Sequence, residues 1–153
     1  MHIEITGRMT GKTERLIATA NQLIAKGKKV VIVYPCGARQ ADFKKYCPGA
    51  KVISDKAMKE SKWFEELDND QDAIWMFDEF DWFDNQSIIK IRPNGYYYTT
   101  PRPGFDLMNA SGDRVINQLL TKAETFVDTV VVMPCNSVLR AEGMDFWGID
   151  YVA

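Results

Sequence analysis

Cysteine is scarce in this sequence, and long apolar runs are missing. The 3 cysteines, Cys36, Cys47 and Cys135, are widely spaced and form no C-x-x-C pair. They predict reduced thiols, with neither a zinc site nor a disulfide framework. No apolar run reaches the length of about 18 residues that a membrane span needs, and the N-terminus has a strand pattern instead of a signal peptide. We therefore expect a cytoplasmic protein with no membrane partner.

The sequence also has a single histidine and little net charge. His2 stands at the start of a predicted strand and is interpreted as a solvated edge residue. A net charge of -2 at pH 7 argues against a surface that attracts nucleic acid over its whole area. Basic residues are nevertheless concentrated in the first half, and residues 68–84 are acidic. Solvated helix faces explain this pattern, although a ring of subunits could still gather a modest basic patch into a channel.

Length and composition predict one compact domain. The 153 residues, 46% of them hydrophobic and 26% charged, can bury a proper core. Strand and helix patterns alternate along the whole chain, without an internal repeat, a low-complexity segment or an interdomain linker. Such alternation predicts an α/β fold, in which helices cover a mostly parallel central sheet. We therefore treat residues 1–153 as a single domain.

Hydrophobic periodicity locates the elements of this fold. Apolar runs predict strands at residues 2–6, 30–34, 51–53, 73–78, 95–98 and 129–133. Helical spacing of apolar residues predicts helices at residues 13–25, 38–46, 55–67 and 113–124.

The first strand leads into a helix through a sequence typical of a phosphate-binding loop, Gly7-Arg8-Met9-Thr10-Gly11-Lys12-Thr13. A glycine turn between a strand and a helix N-terminus points several backbone N–H groups into one concavity, where the helix dipole also favours negative charge. Lys12 is expected to hold the β- and γ-phosphates of a nucleotide, and Thr13 to place its hydroxyl on Mg²⁺. The candidate nucleotide-binding residues are Gly7, Arg8, Met9, Thr10, Gly11, Lys12, Thr13 and Glu14.

One position departs from the usual loop pattern. A glycine is expected five residues before Gly11, but Thr6 occupies that position and Gly7 comes one place late. A strand–helix turn without a ligand is the simpler alternative. The Gly-Lys-Thr end is complete, however, and lies where strand gives way to helix, so we favour nucleotide binding.

A second motif combines an apolar strand with two carboxylates. The run Ala73-Ile74-Trp75-Met76-Phe77 is followed directly by Asp78 and Glu79. At the carboxyl end of a strand, Asp78 can reach a metal-bound water opposite Thr13. Glu79 points the other way and can polarise a water for in-line attack on the γ-phosphate. A simple loop start is the alternative for either acid alone, but behind a phosphate-binding loop the pair indicates ATP hydrolysis with Mg²⁺.

A third motif ends the strand at residues 95–98. Thr99 and Thr100 precede a proline there, and in a sheet that binds ligands at its carboxyl ends they would face the γ-phosphate. Their hydroxyls can sense the phosphate and pass that signal to the next segment. A turn that merely stops the strand is the alternative. Asp81 and Asp84, which follow the acidic pair, are expected to cap the next turn.

These motifs resemble those of the ATPase domain of viral and phage DNA-packaging motors, the large terminase subunits and their smaller packaging-ATPase relatives. Arg8-x-x-Gly11-Lys12-Thr13 is similar to the variant Walker A loop of that family, with an arginine four residues before the lysine. The strand ending in Asp78-Glu79 is similar to its Walker B motif, and Tyr98-Thr99-Thr100-Pro101 to its coupling motif. The resemblance covers about residues 1–135.

The resemblance implies the additional-strand, catalytic-glutamate (ASCE) class of P-loop ATPases, with a RecA-like three-layer core. The phosphate-loop strand and the Walker B strand would then be separated by the Thr-Thr strand. The implied sheet order is 5-1-4-3-2, namely Thr129–Met133, Ile3–Thr6, Tyr96–Thr99, Ile74–Asp78 and Val30–Tyr34. The strand at residues 51–53 would lie at or near an edge.

The same resemblance implies a function. The protein would hydrolyse ATP with Mg²⁺, bound by Thr13 and Asp78, and would translocate double-stranded DNA as a homo-oligomeric ring that can be a monomer in isolation. If phage-encoded, it would act in the cytoplasm of the infected host cell. Catalysis would use Glu79, Lys12 and Arg8, with Thr99 and Thr100 as sensor. An additional arginine finger could reach a neighbouring subunit, and the candidates are Arg140, Arg102 and Arg114.

Two features of the family are not expected here. The chain has no room for a nuclease domain, so we expect no DNA cutting. We also expect no upstream segment before Met1 that would carry the usual adenine-recognition motif, so the residues that hold the base stay open.

Two other functions compete with the motor. Gly11-Lys12-Thr13-Glu14 followed by Lys28-Lys29-Val30-Val31 resembles the start of thymidine kinases. Those enzymes normally carry a zinc-binding cysteine cluster, which this sequence lacks, and they do not have a Thr-Thr-Pro strand end. A non-motor ATPase switch, such as a helicase loader, is the other alternative. DNA-stimulated turnover and ring formation would distinguish a motor from a switch.

Overall fold

The chain folds around a six-stranded sheet in which all strand pairs are parallel. The computed structural model describes residues 1–36, 40–60, 62–103, 105, 113–123 and 129–132. The strands are β1 His2–Ile5, β2 Lys29–Tyr34, β3 Lys51–Ser54, β4 Ala73–Asp78, β5 Tyr96–Thr99 and β6 Thr129–Val132. The α/β class and the parallel central sheet predicted from the sequence are confirmed.

Helices form most of the connections between consecutive strands, as is usual for parallel pairing. They are α1 Lys12–Ala25, α2 Gln40–Tyr46, α3 Asp55–Glu60, α4 Lys62–Asp68 and α5 Val115–Ala123, with 3₁₀ turns at Phe80–Trp82 and Gln86–Ile88. Residues 55–67, predicted as one helix, belong to α3 and α4, and residue 61 between them lies outside the described residues. The predicted start of α2 at residue 38, the end of α5 at residue 124 and the end of β6 at residue 133 also lie outside them.

The strands lie side by side in the order β3-β2-β4-β5-β1-β6. The register pairs Ile5 with Thr99 and Asp78 with Tyr98, so β1, β4 and β5 end at the same edge of the sheet. The interpretation of His2 as an edge residue is wrong, because β1 lies between β5 and β6. The His2 ring instead lies 5.3 Å from that of Tyr98 and is half-buried.

Two hydrophobic clusters hold the layers together, one on each face of the sheet. Alternate residues of a strand point to opposite faces. Trp75 and Phe77 therefore enter one cluster, while Met76 enters the other with Leu16 of α1 and Phe43 of α2. All six residues of β4 are buried, as expected for a central strand covered on both sides. This packing fixes the strand end that carries Asp78.

None of the helices among the described residues combines the length and the apolar character needed to cross a lipid bilayer.

Candidate functional site

The loop between β1 and α1 forms a compact turn. Met9 and Gly11 adopt left-handed backbone conformations, with φ of 56° and 77°. Glycine suits the second position, because a Cβ there would lie 3.2 Å from Nη1 of Arg15. The Thr10 hydroxyl donates to the Gly7 carbonyl oxygen at 2.8 Å and lies 2.9 Å from the Thr6 hydroxyl oxygen. Thr6, which stands where the usual pattern has a glycine, thus lies within hydrogen-bonding distance of Thr10.

The loop presents the N-terminus of α1 to the cleft. Gly11 is the N-cap of this helix, and no side chain caps its first turn. Backbone N–H groups of a first turn have no intrahelical partner, and the helix dipole adds positive potential there. An anion such as a phosphate is the natural partner of such a helix start.

Arg15 braces the loop against the sheet. Its Nη1 donates to the Thr10 carbonyl oxygen at 2.5 Å, and its Nε donates to Oε1 of the buried Glu4 at 2.9 Å. Burial raises the pKa of Glu4, but hydrogen bonds from His2 and Arg15 outweigh it, and the net shift is to a lower pKa. Glu4 is therefore an ionised anchor for Arg15.

Lys12 is buried where three polar groups converge. Its Nζ lies 2.7 Å from Oγ1 of Thr100, 2.9 Å from Oε1 of Glu79 and 3.3 Å from the Gly7 carbonyl oxygen. The structure therefore brings together the loop lysine, the glutamate that follows β4 and the second threonine of the β5 end. A buried ammonium group needs such partners, because an unpaired charge would be strongly disfavoured there.

Glu79 turns back across the end of β5. Its backbone is left-handed, with φ of 50°, a conformation that a non-glycine residue rarely adopts. Oε2 accepts the Thr100 backbone N–H at 2.7 Å, and Oε1 lies 3.2 Å from Oγ1 of Thr100. Such strained conformations concentrate at functional sites. The two contacts with Thr100 hold the carboxylate beside the Lys12 ammonium group.

Thr13 and Asp78 face each other at the same end of the sheet. The Thr13 hydroxyl lies 3.3 and 3.5 Å from the two carboxylate oxygens of Asp78, which is buried. Hard oxygen donors with a single carboxylate suit Mg²⁺, which usually keeps several waters and binds substrate phosphates. The chemistry of this donor pair therefore fits the Mg²⁺ expected from the sequence.

Together these groups surround a cleft of about 630 Å³, a volume typical of small-ligand sites. Its lining is Arg8, Met9, Thr10, Gly11, Lys12, Thr13, Glu14, Pro35, Asp78 and Glu79.

Arg8 stands at the mouth of the cleft. Its side chain is exposed, and its guanidinium carbon lies 5.7 Å from the centroid of the Trp82 ring. The indole Nε1 of Trp82 donates to the Thr100 carbonyl oxygen at 2.6 Å. Trp82 thus connects the loop arginine to the end of β5, a role that the sequence analysis did not identify.

Asp81 joins the turn after β4 to the segment after β5. The expectation that it caps the next turn is wrong: its carboxylate accepts the backbone N–H of Arg102 at 2.7 Å and Nη2 of Arg114 at 2.5 Å. Its own N–H donates to Oγ1 of Thr99 at 3.2 Å, and its side chain is fully buried. The two arginines following the Thr-Thr-Pro sequence could have suggested an acidic partner nearby.

Two of the three candidate finger arginines are thus described. Arg114 is paired with Asp81 within the chain, and Nε of Arg102 lies 3.7 Å from the same carboxylate oxygen. Arg140 lies outside the described residues.

No protein-family model matches this chain, and no curated protein matches it. The chemistry of the site is therefore argued from its geometry. A helix N-terminus with a lysine can hold phosphates, an opposed hydroxyl and carboxylate can hold a divalent cation, and a second carboxylate can take a proton from water.

Proposed function

We propose that this protein is a Mg²⁺-dependent ATPase of the ASCE class of P-loop enzymes. The observation that carries the proposal is the convergence of Lys12, Glu79 and Thr100 beside the phosphate-binding loop, with Nζ of Lys12 2.9 Å from Oε1 of Glu79. A phosphate-binding turn alone would not need a carboxylate there. A hydrolase does, because the attacking water must lose a proton.

The residues divide the reaction among them. The α1 N-terminus and Lys12 would hold the β- and γ-phosphates, and Thr13 with Asp78 would hold Mg²⁺. When bound, Mg²⁺ neutralises charge that develops on the phosphate oxygens. Glu79 would orient a water in line with the γ-phosphate and accept its proton as the new oxygen–phosphorus bond forms. The bond between the γ-phosphorus and the β–γ bridging oxygen would break at the same time, with ADP as the leaving group. Positioning and charge stabilisation supply most of phosphoryl-transfer catalysis, and this site consists of both.

The strand order supports the ASCE assignment. The strand of the Thr-Thr sequence, β5, lies between the loop strand β1 and the Walker B strand β4, and β6 lies on the far side of β1. The order β6-β1-β5-β4-β2 matches the one that the resemblance to packaging ATPases implies, and β3 adds at the edge. A RecA-like core is therefore part of the proposal.

We further propose that hydrolysis drives translocation of double-stranded DNA by a ring of subunits, as in DNA packaging. The contacts of Thr100 with both Lys12 and Glu79 support this, because loss of the γ-phosphate would alter them and move the Pro101 segment. The resemblance to packaging ATPases points to DNA translocation as the output. A motor needs a connection of this kind between its nucleotide site and a segment that can move.

Steady-state phosphate release from Mg-ATP, measured with and without double-stranded DNA, tests both parts. We expect turnover that Lys12→Ala abolishes and that DNA raises, together with a molar mass in solution that increases with ATP and DNA. Lys122→Ala, an exposed change on α5, serves as the control and should not affect turnover. No ATP turnover would reject the enzyme, whereas turnover without a DNA response in a persistent monomer would reject the motor and favour the switch.

A further inference from the structure

A second cavity begins where the phosphate-binding loop ends. Thr13 and Glu14 line the phosphate cleft and also a groove of about 620 Å³ between α1 and α2. From these residues the groove follows α1 as far as Asn21, which at a rise of 1.5 Å per residue is about 12 Å. A ligand whose phosphates occupy the cleft would therefore be directed into this groove.

The walls of the groove combine apolar surface, an aromatic ring and two carboxylates, those of Glu14 and Asp42. Ile17 and Ala18 form the α1 side, while Asp42 and Tyr46, four residues apart on one face of α2, form the other. Tyr46 is 53% exposed, although large aromatic side chains are usually more buried. Nδ2 of Asn21 donates to the Tyr46 carbonyl oxygen at 2.9 Å, which ties the end of α2 to α1.

The direction of the bound nucleotide follows from the site. Glu79 and Lys12 mark the position of the terminal phosphate, so the rest of the nucleotide must extend away from them. The small cavity on the Glu79 side, about 240 Å³, is lined by Arg8, Pro35, Glu79, Trp82 and Thr100. The larger groove leads the other way, from Thr13 along α1.

We propose that this groove holds the adenine base of ATP, with the base stacked on the Tyr46 ring and its exocyclic amino group donating to the Asp42 carboxylate. The inference rests on the proposed function and supplies the base site that the loop motif does not contain. Stacking uses the flat face that every base has, and the carboxylate supplies selectivity. Guanine presents a carbonyl oxygen where adenine has its amino group, and this oxygen would face the Asp42 carboxylate unfavourably.

Calorimetric titration with two ligands tests the stacking. Adenylyl imidodiphosphate carries base and phosphates, whereas inorganic tripolyphosphate carries phosphates alone, both with Mg²⁺. Tyr46→Ala should weaken binding of the nucleotide analogue by about tenfold or more and leave tripolyphosphate binding unchanged. Tyr46→Phe keeps the aromatic face and should bind the analogue more tightly than Tyr46→Ala does. Gln22→Ala, a neighbouring exposed change outside the groove, is the matched control.

The outcomes separate this site from the proposed ATPase. Wild-type protein that binds neither ligand would reject the nucleotide site as a whole. Wild-type protein that binds the analogue, with an equal affinity in Tyr46→Ala, would overturn the base site alone. Equally weakened binding of both ligands to Tyr46→Ala would mean that the substitution disturbs the loop, and this result would also overturn the base site.

Selectivity between nucleotides tests Asp42. Wild-type protein should bind ATP more tightly than GTP. Asp42→Asn should reduce the ratio of the ATP affinity to the GTP affinity by about tenfold, because an amide can also donate to the guanine carbonyl oxygen. A preference for GTP in the wild type, or an unchanged ratio in Asp42→Asn, would overturn the adenine contact.

Discussion

Nζ of Lys12 lies 2.9 Å from Oε1 of Glu79, so the groups assigned to the phosphate and to the attacking water are paired with each other. A γ-phosphate at Lys12 would compete with this carboxylate for the same ammonium group. Exchange of one anion for the other would release Glu79 to position water, with Thr100 still donating its N–H to Oε2. Binding and activation would thus be linked at one nitrogen atom.

Glu79→Gln should separate binding from chemistry. We expect kcat to fall by about 10²–10⁴-fold, because the amide cannot accept the proton of water. ATP affinity should stay equal or become a few-fold tighter, since Lys12 loses a charged competitor. Phosphate release and nucleotide titration measure the two effects, and Glu65→Gln, exposed on α4, is the control. Undiminished turnover in Glu79→Gln would remove this residue from the mechanism.

Thr100→Ala should slow hydrolysis while changing KM little. The hydroxyl lies 2.7 Å from Lys12 Nζ and 3.2 Å from Glu79 Oε1, and hydrogen bonds to charged groups contribute about 1.5–3 kcal/mol. That range corresponds to a fall in kcat of roughly tenfold or more. Thr100→Ser retains the hydroxyl and should recover most of the rate. If turnover and its DNA response are the same in Thr100→Ala as in the wild type, the segment is only a turn.

Arg8 is expected to stabilise the transition state in cis. A guanidinium forms a planar, bidentate fork that an ammonium group cannot reproduce, so Arg8→Lys should lower kcat by about tenfold or more and Arg8→Ala should lower it at least as far. Single-turnover rates with saturating ATP make the comparison. Equal rates for the three proteins would exclude Arg8 from catalysis.

Mixing variants tests a finger that acts on a neighbouring subunit. Subunits carrying Lys12→Ala and subunits carrying Arg140→Ala should restore turnover to each other if Arg140 reaches across a ring. The same experiment with Arg102→Ala or Arg114→Ala tests the other two candidates. Specific activity should also rise with protein concentration as rings form. Activity that is independent of concentration, without any complementation, would contradict a finger in trans.

Asp81→Asn should destabilise the fold. The fully buried carboxylate pairs with Arg114 and accepts the Arg102 N–H, and its replacement would leave a partly buried guanidinium without its counter-charge. We expect a loss of about 1–3 kcal/mol in the free energy of unfolding. Urea unfolding at neutral pH measures it. Asp84→Asn alters an exposed ion pair and should stay within about 0.5 kcal/mol of the wild type; equal losses for both variants would contradict the assignment.

Glu4, which accepts hydrogen bonds from His2 and Arg15, should make stability depend on pH in the acid range. The pKa of Glu4 is lowered in the folded protein from an ordinary value of 4.5, so its ionised form favours folding. This contribution is present above the pKa of the unfolded chain and is lost as pH falls through the folded-state pKa. Glu4→Gln should therefore flatten the decrease in unfolding free energy below about pH 4.5. Glu60→Gln is the exposed control, and parallel pH curves for the wild type and Glu4→Gln would refute the prediction.

The sequence by itself determined the α/β fold class and located most of the residues that line the cleft. Alternating strand and helix patterns predicted the parallel sheet, since parallel strands need long crossovers that are usually helical. The loop from Gly7 to Thr13 could be predicted because its residues are contiguous in the sequence. Gly11 in this loop adopts a left-handed backbone conformation that other residues rarely adopt. Even the opposition of Thr13 and Asp78 could be expected, because the carboxyl ends of parallel strands share one edge of the sheet.

Only the tertiary structure decided which distant side chains meet. Lys12 and Thr100 are 88 residues apart in sequence, and their contact depends on the register of β1 against β5. The burial of Asp81 with Arg114, and the groove between Tyr46 and the first turn of α1, follow from packing across elements. Periodicity and propensity act over a few residues, whereas these contacts are fixed by the joint packing of the whole sheet and its helices.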